Sequence, residues 1–196
     1  ETGFPVPGLG RDRAFQTFES NVVFTLRFMV DTGLGGGFWV EVPQGKWRRN
    51  TGAPRTYCQL EASIHYSDMI AHKPEGDWQR IAPLRVLSVD IECAGRKGHF
   101  PEARYDPVIQ IASMVSVTGQ TEPIVRNVMT LDTCATIVGA QVMSFQSEKD
   151  LLTRWRDLML ESDPDVIIGY NICNFDLPYL LDRATALGVQ GVPFWG

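Results

Sequence analysis

Two short stretches hold side chains that could do chemistry together. Val89-Asp90-Ile91-Glu92 closes an apolar run with two carboxylates. About eighty residues later, Gly169-Tyr170-Asn171-Ile172-Cys173-Asn174-Phe175-Asp176-Leu177-Pro178 sets an Asn and an Asp five residues apart at an expected strand-to-helix junction. In a strand, residues i and i+2 share a face, so Asp90 and Glu92 point the same way while Ile91 turns into the core. Two bare carboxylates that close repel each other and resist burial, so a positive partner is needed to keep both ionised. A hard divalent cation such as Mg2+ suits paired oxygen ligands. Three acids at one sheet edge could hold two such ions about 3.5–4 Å apart, one activating water and the other steadying the leaving oxygen of a phosphodiester. In that reading Asp90 bridges both ions, Glu92 holds the water-activating one and Asp176 holds the other. The plain alternatives are a solvated strand end for Asp90 and Glu92, and a capping acid for Asp176 in a first helical turn, where the helix dipole favours negative charge. They leave Asn171 and the same-end placement of the three acids unexplained.

The loop after the first pair carries Gly98-His99-Phe100-Pro101-Glu102. An exposed Phe100 could stack on an unpaired base, a contact worth about 1–3 kcal/mol; the alternative is a ring folded under its own loop. His99 is a weak candidate for a general base. Cys58, Cys93, Cys134 and Cys173 form no Cys-x-x-Cys pair, which argues against a zinc cage and suits a reducing compartment.

Ligands in α/β sheets gather at the carboxyl ends of strands, so the elements must bring these segments to one such edge. Residues 84–89 read as a short, nearly continuous apolar strand of a covered sheet, followed by strands over 107–117 and 124–131. Residues 147–160 read as a helix with Leu151, Leu152, Trp155, Leu158 and Met159 on one stripe. Ser147 and Asp150 resemble a capping box. A buried strand is expected over 165–169. A helix then starts near Asn174 as N-cap, with Leu177, Leu180, Leu181, Ala184 and Leu187 inward and Gly188 at its end. This is an α/β layer on a mixed sheet.

Upstream, residues 1–12 suggest an irregular arm. Alternation predicts strands over 21–30 (Val22, Phe24, Leu26, Phe28, Val30), 37–42 and 57–66, an antiparallel β-rich region. Trp47-Arg48-Arg49 with Arg55 is a basic, aromatic loop that could touch a nucleic-acid backbone, or a solvated hairpin tip. A turn-rich linker over 72–77 places a boundary near Trp78, giving domains 1–79 and 80–196.

The 196 residues, 44% hydrophobic and 21% charged, can bury a real core. A net charge of −5 offers no bulk basic surface, yet metal-binding acids would themselves add negative charge. No apolar run approaches the roughly 20 residues of a membrane span, and no signal peptide is visible.

Val89-Asp90-Ile91-Glu92 resembles the first exonuclease motif of the B-family DNA polymerases, and Gly169-Tyr170-Asn171 through Phe175-Asp176 resembles the second. Residues 90–102, 106–112 and 163–171 extend the likeness. Residues 27–31 and 74–83 resemble the N-terminal domain of eukaryotic members and its junction to the exonuclease. The resemblance covers nearly the whole chain. It implies a partial ribonuclease-H-like 3′–5′ exonuclease domain that removes mismatched nucleotides, within a replicative polymerase of the nucleus. It implies Asp90, Glu92 and Asp176 as catalytic, metal-binding acids. Phe100 would pack against the frayed 3′ base, and Asn171 and Phe175 would support the bound strand. The implied cofactors are two Mg2+ ions, with Mn2+ able to substitute. The implied partners are the single-stranded 3′ primer end, accessory subunits and a sliding clamp, with no membrane.

The chain also departs from that family pattern. The third motif, Tyr-x-x-x-Asp, is absent, and the one acid after Asp176, Asp182, lies on the same helix. The polymerase palm, fingers and thumb and the C-terminal zinc or iron–sulfur clusters are absent too. The chain, starting at Glu1 without Met, therefore reads as an excised piece with no polymerase or appreciable exonuclease activity of its own. Two other readings stay open: a free-standing 3′–5′ exonuclease, disfavoured by the first 80 residues, and a non-catalytic DNA-binding or subunit-docking scaffold, disfavoured by the three intact acids.

Overall fold

A computed structural model describes residues 18–56 and 58–192, so the irregular arm expected over residues 1–12 lies outside the described residues. The chain divides into two compact units, Glu1–Arg80 and Ile81–Gly196.

In the first unit a helix, α1 (Phe24–Thr32), precedes four short strands: β1 (Trp39–Glu41), β2 (Trp47–Arg49), β3 (Ala62–Ile64) and β4 (Ile70–His72). β1 pairs with β4 and β2 with β3, both antiparallel. The strand expected over 21–30 is thus largely helix. Alternation selects a strand only where one face is buried, and no residue of α1 is buried. Local helical pairs decide instead. Arg27 and Asp31 form an i,i+4 ion pair at 3.0 Å, the Phe24 and Phe28 rings stack, and Gly33 closes the helix at φ 71°. The strand expected over 57–66 shrinks to β3, and Trp47-Arg48-Arg49 is a strand rather than a loop.

In the second unit, β5 (Arg85–Cys93) shows the expected alternation, with Leu87, Val89 and Ile91 buried and Asp90 and Glu92 exposed. β6 (Val108–Val117) runs antiparallel beside it, setting Ala112 opposite Asp90 and Gln110 opposite Glu92. β7 (Val125–Leu131), β8 (Gln141–Phe145) and β9 (Val166–Ile168) complete a mixed five-stranded sheet ordered β8-β7-β6-β5-β9. β8 escaped the sequence reading because Gln141-Val142-Met143-Ser144-Phe145 lacks both strict alternation and an apolar run.

Two helices, α2 (Glu148–Ser162) and α3 (Asp176–Leu187), belong to the core formed with Leu87, Val89 and Ile91. The predicted stripe of Leu151, Leu152, Trp155, Leu158 and Met159 is buried, and the Trp155 indole N–H donates to Ser113 Oγ at 3.2 Å. The capping box does not form: Ser147 occupies the N-cap position without a side-chain hydrogen bond. β9 was expected to be buried, but Val166 and Ile168 are 39% and 46% exposed, because β9 ends the sheet and pairs with β5 alone. α3 begins one residue later than expected, with Phe175 rather than Asn174 at its N-cap, and ends at left-handed Gly188 (φ 66°) as its sequence requires. No helix among the described residues is long and apolar enough to cross a membrane.

Candidate active site

The chain that leaves β9 must reverse within a few residues to start α3. Gly169 makes this possible: a Cβ there would lie 2.5 Å from the Val89 carbonyl oxygen and collide with Ile172 Cγ2, so only glycine lets this backbone approach β5. Asn171 follows in the left-handed region at φ 55°, which Asn tolerates better than most residues. Its carbonyl accepts from the Asn174 and Phe175 amides at 3.1 and 3.0 Å, and its side-chain oxygen accepts from Asn174 Nδ2 at 2.9 Å. The Asn is thus the pivot of the turn, and Asp176 emerges in the first turn of α3.

Asp176 is 2% exposed and accepts the Ile91 amide hydrogen at Oδ1 over 3.1 Å. That amide belongs to the peptide joining Asp90 to Ile91, so the second acidic segment docks directly on the first. Burial pushes the Asp176 carboxyl above the ordinary range and the nearby Asp90 charge adds to this, while hydrogen bonds from its own amide and that of Ile91 oppose both. Glu92 lies two residues along β5 on the same exposed face as Asp90. None of the ion pairs among the described residues includes Asp90, Glu92 or Asp176.

These acids meet part of the requirement for a hard divalent cation: an all-oxygen donor set, negative charge with no ion pair to offset it, and one buried carboxyl beside a second acid. The side chains do not, however, converge as a ready cage, since no group of three or more His, Cys, Asp or Glu among the described residues is arranged to hold a metal ion. A groove of about 430 Å³, lined by Ser88, Asp90, Met114, Arg126 and Tyr170 among others, opens beside Asp90.

Phe100 is 74% exposed, so its ring is not folded under its own loop. One side meets Phe175 edge-on, with centroids 5.5 Å apart at 67°, and Phe175 in turn rests on Tyr179 at 5.4 Å. His99 is exposed. Cys93 is half-buried, and its thiol is pushed up to about 11, chiefly by burial, so it stays protonated and is a poor nucleophile at neutral pH.

The loop between β5 and β6 that carries Phe100 is tied down by residues the sequence reading passed over. The Tyr179 hydroxyl donates to the Asp106 carbonyl at 2.8 Å, and Arg183 Nη1 donates to the Ala103 carbonyl at 3.0 Å. Arg183 is fixed by Glu148 through two bonds of 2.8 and 2.7 Å, and Glu148 Oε1 also accepts the Val108 amide at 2.8 Å. Asp106, 1% exposed, accepts from the Glu102 amide at 2.8 Å and Arg96 Nε at 3.0 Å. The Glu102 amide first, and then Arg96, hold its carboxyl below the ordinary range despite burial. A sequence signal did exist, since Tyr179 and Arg183 stand at i+3 and i+7 from Asp176 on one helix face.

Over residues 15–196 the sequence matches the family described as DNA polymerase family B, exonuclease domain. It is 57% identical to the DNA polymerase delta catalytic subunit of Arabidopsis thaliana, an alignment over all of this chain and 18% of that protein. It is 50% identical to that of Schizosaccharomyces pombe, over 98% of this chain and 17% of that protein. A solved structure of the family B DNA polymerase from the hyperthermophilic archaeon Pyrobaculum calidifontis superposes with a TM-score of 0.62 at 28% identity, over 92% of this chain and 20% of that one. The chain therefore spans about a fifth of the length of the relatives it matches.

Proposed function

Because the chain belongs to the exonuclease domain of DNA polymerase family B, we propose that it supplies three metal-binding acids and a substrate-contacting loop to a 3′–5′ exonuclease that trims the primer end made by the same polymerase. The observation that supports this most directly is the hydrogen bond from the Ile91 amide to Asp176, which docks the second acidic segment on the first. Asp90, Glu92 and Asp176 would hold divalent cations, with Mg2+ as the natural occupant and Mn2+ as a substitute. When bound, such ions supply charge neutralisation at the scissile phosphate and lower the pKa of water from 15.7 towards neutrality.

The protein's own residues have three tasks in this reading. The β5 backbone and the Gly169 turn fix Asp176 beside Asp90, so that only the acid side chains would need to close on the metal. Phe100 offers its exposed face to an unpaired 3′ base, a contact duplex DNA cannot make while its terminal base stays paired and stacked. Phe175 and Asn171 brace that ring and the turn. The preference for a frayed end follows, because a mismatched terminus pays less to unstack.

The same reading assigns residues 80–196 to the exonuclease and 1–79 to an N-terminal domain. It implies primer–template DNA, accessory subunits and a sliding clamp as partners, and the nucleus as location, as suits relatives from eukaryotes. It expects the 196 residues alone not to excise, because the third exonuclease motif of the family is not among them.

The test is release of the 3′ nucleotide from a single-stranded oligonucleotide by the full-length polymerase with Mg2+. Excision that vanishes in Asp90→Ala and Asp176→Asn supports the proposal. Excision unaffected by both overturns it, and a wild-type protein that neither excises nor binds Mn2+ at these acids would be a scaffold instead.

A further inference from the structure

The Phe100 loop leaves β5 directly after the acids and is tied within itself by Arg96, Glu102 and Asp106, but those bonds do not set its position on the rest of the fold. Its anchors lie on the two helices. Arg183 takes the Ala103 carbonyl with Nη1 and gives its remaining fork to Glu148, and both side chains are about nine-tenths buried. Glu148 uses the same Oε1 to accept the Val108 amide, the first residue of β6, where the loop ends. Tyr179, one turn before Arg183, holds the Asp106 carbonyl from the same side. Burial of this pair is costly unless every bond is made, and here each bond not spent inside the pair goes to the loop or its end.

We infer that the Glu148–Arg183 pair, with Tyr179, is a positioning device for the substrate-contacting aromatic. It fixes the height of the Phe100 loop over Phe175 and so sets how tightly an unpaired 3′ base is gripped. Arg183 is a positioning residue, since it reaches the site through Ala103 and Phe100. A bidentate guanidinium suits this task because it defines an orientation, which the point charge of lysine does not. The inference rests on the exonuclease reading above.

The experiment uses the full-length polymerase and a single-stranded oligonucleotide with 2-aminopurine at its 3′ end, whose fluorescence falls when the base stacks. Arg183→Lys keeps the charge but loses the fork. Glu148→Gln keeps an acceptor for the Val108 amide. Both should raise KM for the single strand about five- to tenfold, with a smaller fall in kcat, because a misplaced contact weakens the grip more than the chemistry. Both should also reduce 2-aminopurine quenching. In a Phe100→Ala background the same substitutions should add less than about a twofold change, since residues acting through one contact are not additive. Thermal melts establish that each variant is folded before its kinetics are read. A folded Arg183→Lys protein with wild-type KM and quenching overturns the inference. So does a full additional loss on top of Phe100→Ala, which would mean that Arg183 acts on the acids or on overall stability. A wild-type enzyme with no excision at all would instead count against the exonuclease reading.

Discussion

Asp176 is held where its own negative charge is poorly accommodated. It is nearly inaccessible, and burial and then Asp90 raise its pKa in the native state. A carboxyl whose native pKa lies above its unfolded value takes up protons on folding, so its ionisation costs stability. That cost is absent below the ordinary carboxylate range, grows as pH rises from there through the native pKa, and is constant above it. Asp176→Asn, which can still accept the Ile91 amide hydrogen, should therefore gain stability over the wild type as pH is raised from about 3.5 to 7. Urea melts at both values check this, and a difference that does not grow with pH contradicts it. Mg2+ or Mn2+ should narrow the gap at pH 7 by stabilising the wild type alone. Gly169 is the other decisive residue. Gly169→Ala should cost about 1–3 kcal/mol, because its Cβ meets the Val89 carbonyl oxygen, which is backbone and cannot swing away, as well as Ile172 Cγ2; a melt within about 0.5 kcal/mol of wild type would mean that the turn is slack.

The elements position the site through one shared core. β5 gives its apolar side to the core it shares with α2 and α3 and leaves its acidic side to solvent. Leu152→Ala, at a fully buried position of α2, should cost about 2–5 kcal/mol in a chemical melt; a cost under 1 kcal/mol would show that α2 is not held by this core. Much of this was legible beforehand. Asp90 and Glu92 on one face, the α2 stripe and the Gly188 cap follow from periods of 2 and 3.6 and from the conformational freedom of glycine. The failures share a physical cause, since periodicity reports burial and fails where little is buried. Residues 21–30 alternate like a strand, yet they form α1 with no buried residue, and local pairs chose the helix. β9 reads as a core strand but stands at the sheet edge. The Glu148–Arg183 clamp leaves only half a signal: Tyr179 and Arg183 share a helix face with Asp176, but nothing in the sequence pairs Arg183 with Glu148, and Ser147-x-x-Asp150 points instead to a capping box that the structure does not make.

At the scale of the whole molecule, the chain holds two units, and the three acids, Phe100, Asn171 and Phe175 all lie in the second, Ile81–Gly196. Its relatives are about five times longer. Under the proposed exonuclease reading, the acids would close on metal and substrate rather than stand as a ready-made cage among the described residues. The measurement that bears most directly on the central claim is Mg2+-dependent excision of a mismatched 3′ nucleotide by the full-length polymerase, compared between wild type and Asp176→Asn at matched protein stability. Loss of an outer-shell partner of a metal ligand typically costs 10–100-fold, so loss of a ligand should lower excision by at least about a hundredfold while leaving nucleotide addition intact. Excision by Asp176→Asn within a few-fold of wild type would contradict the account.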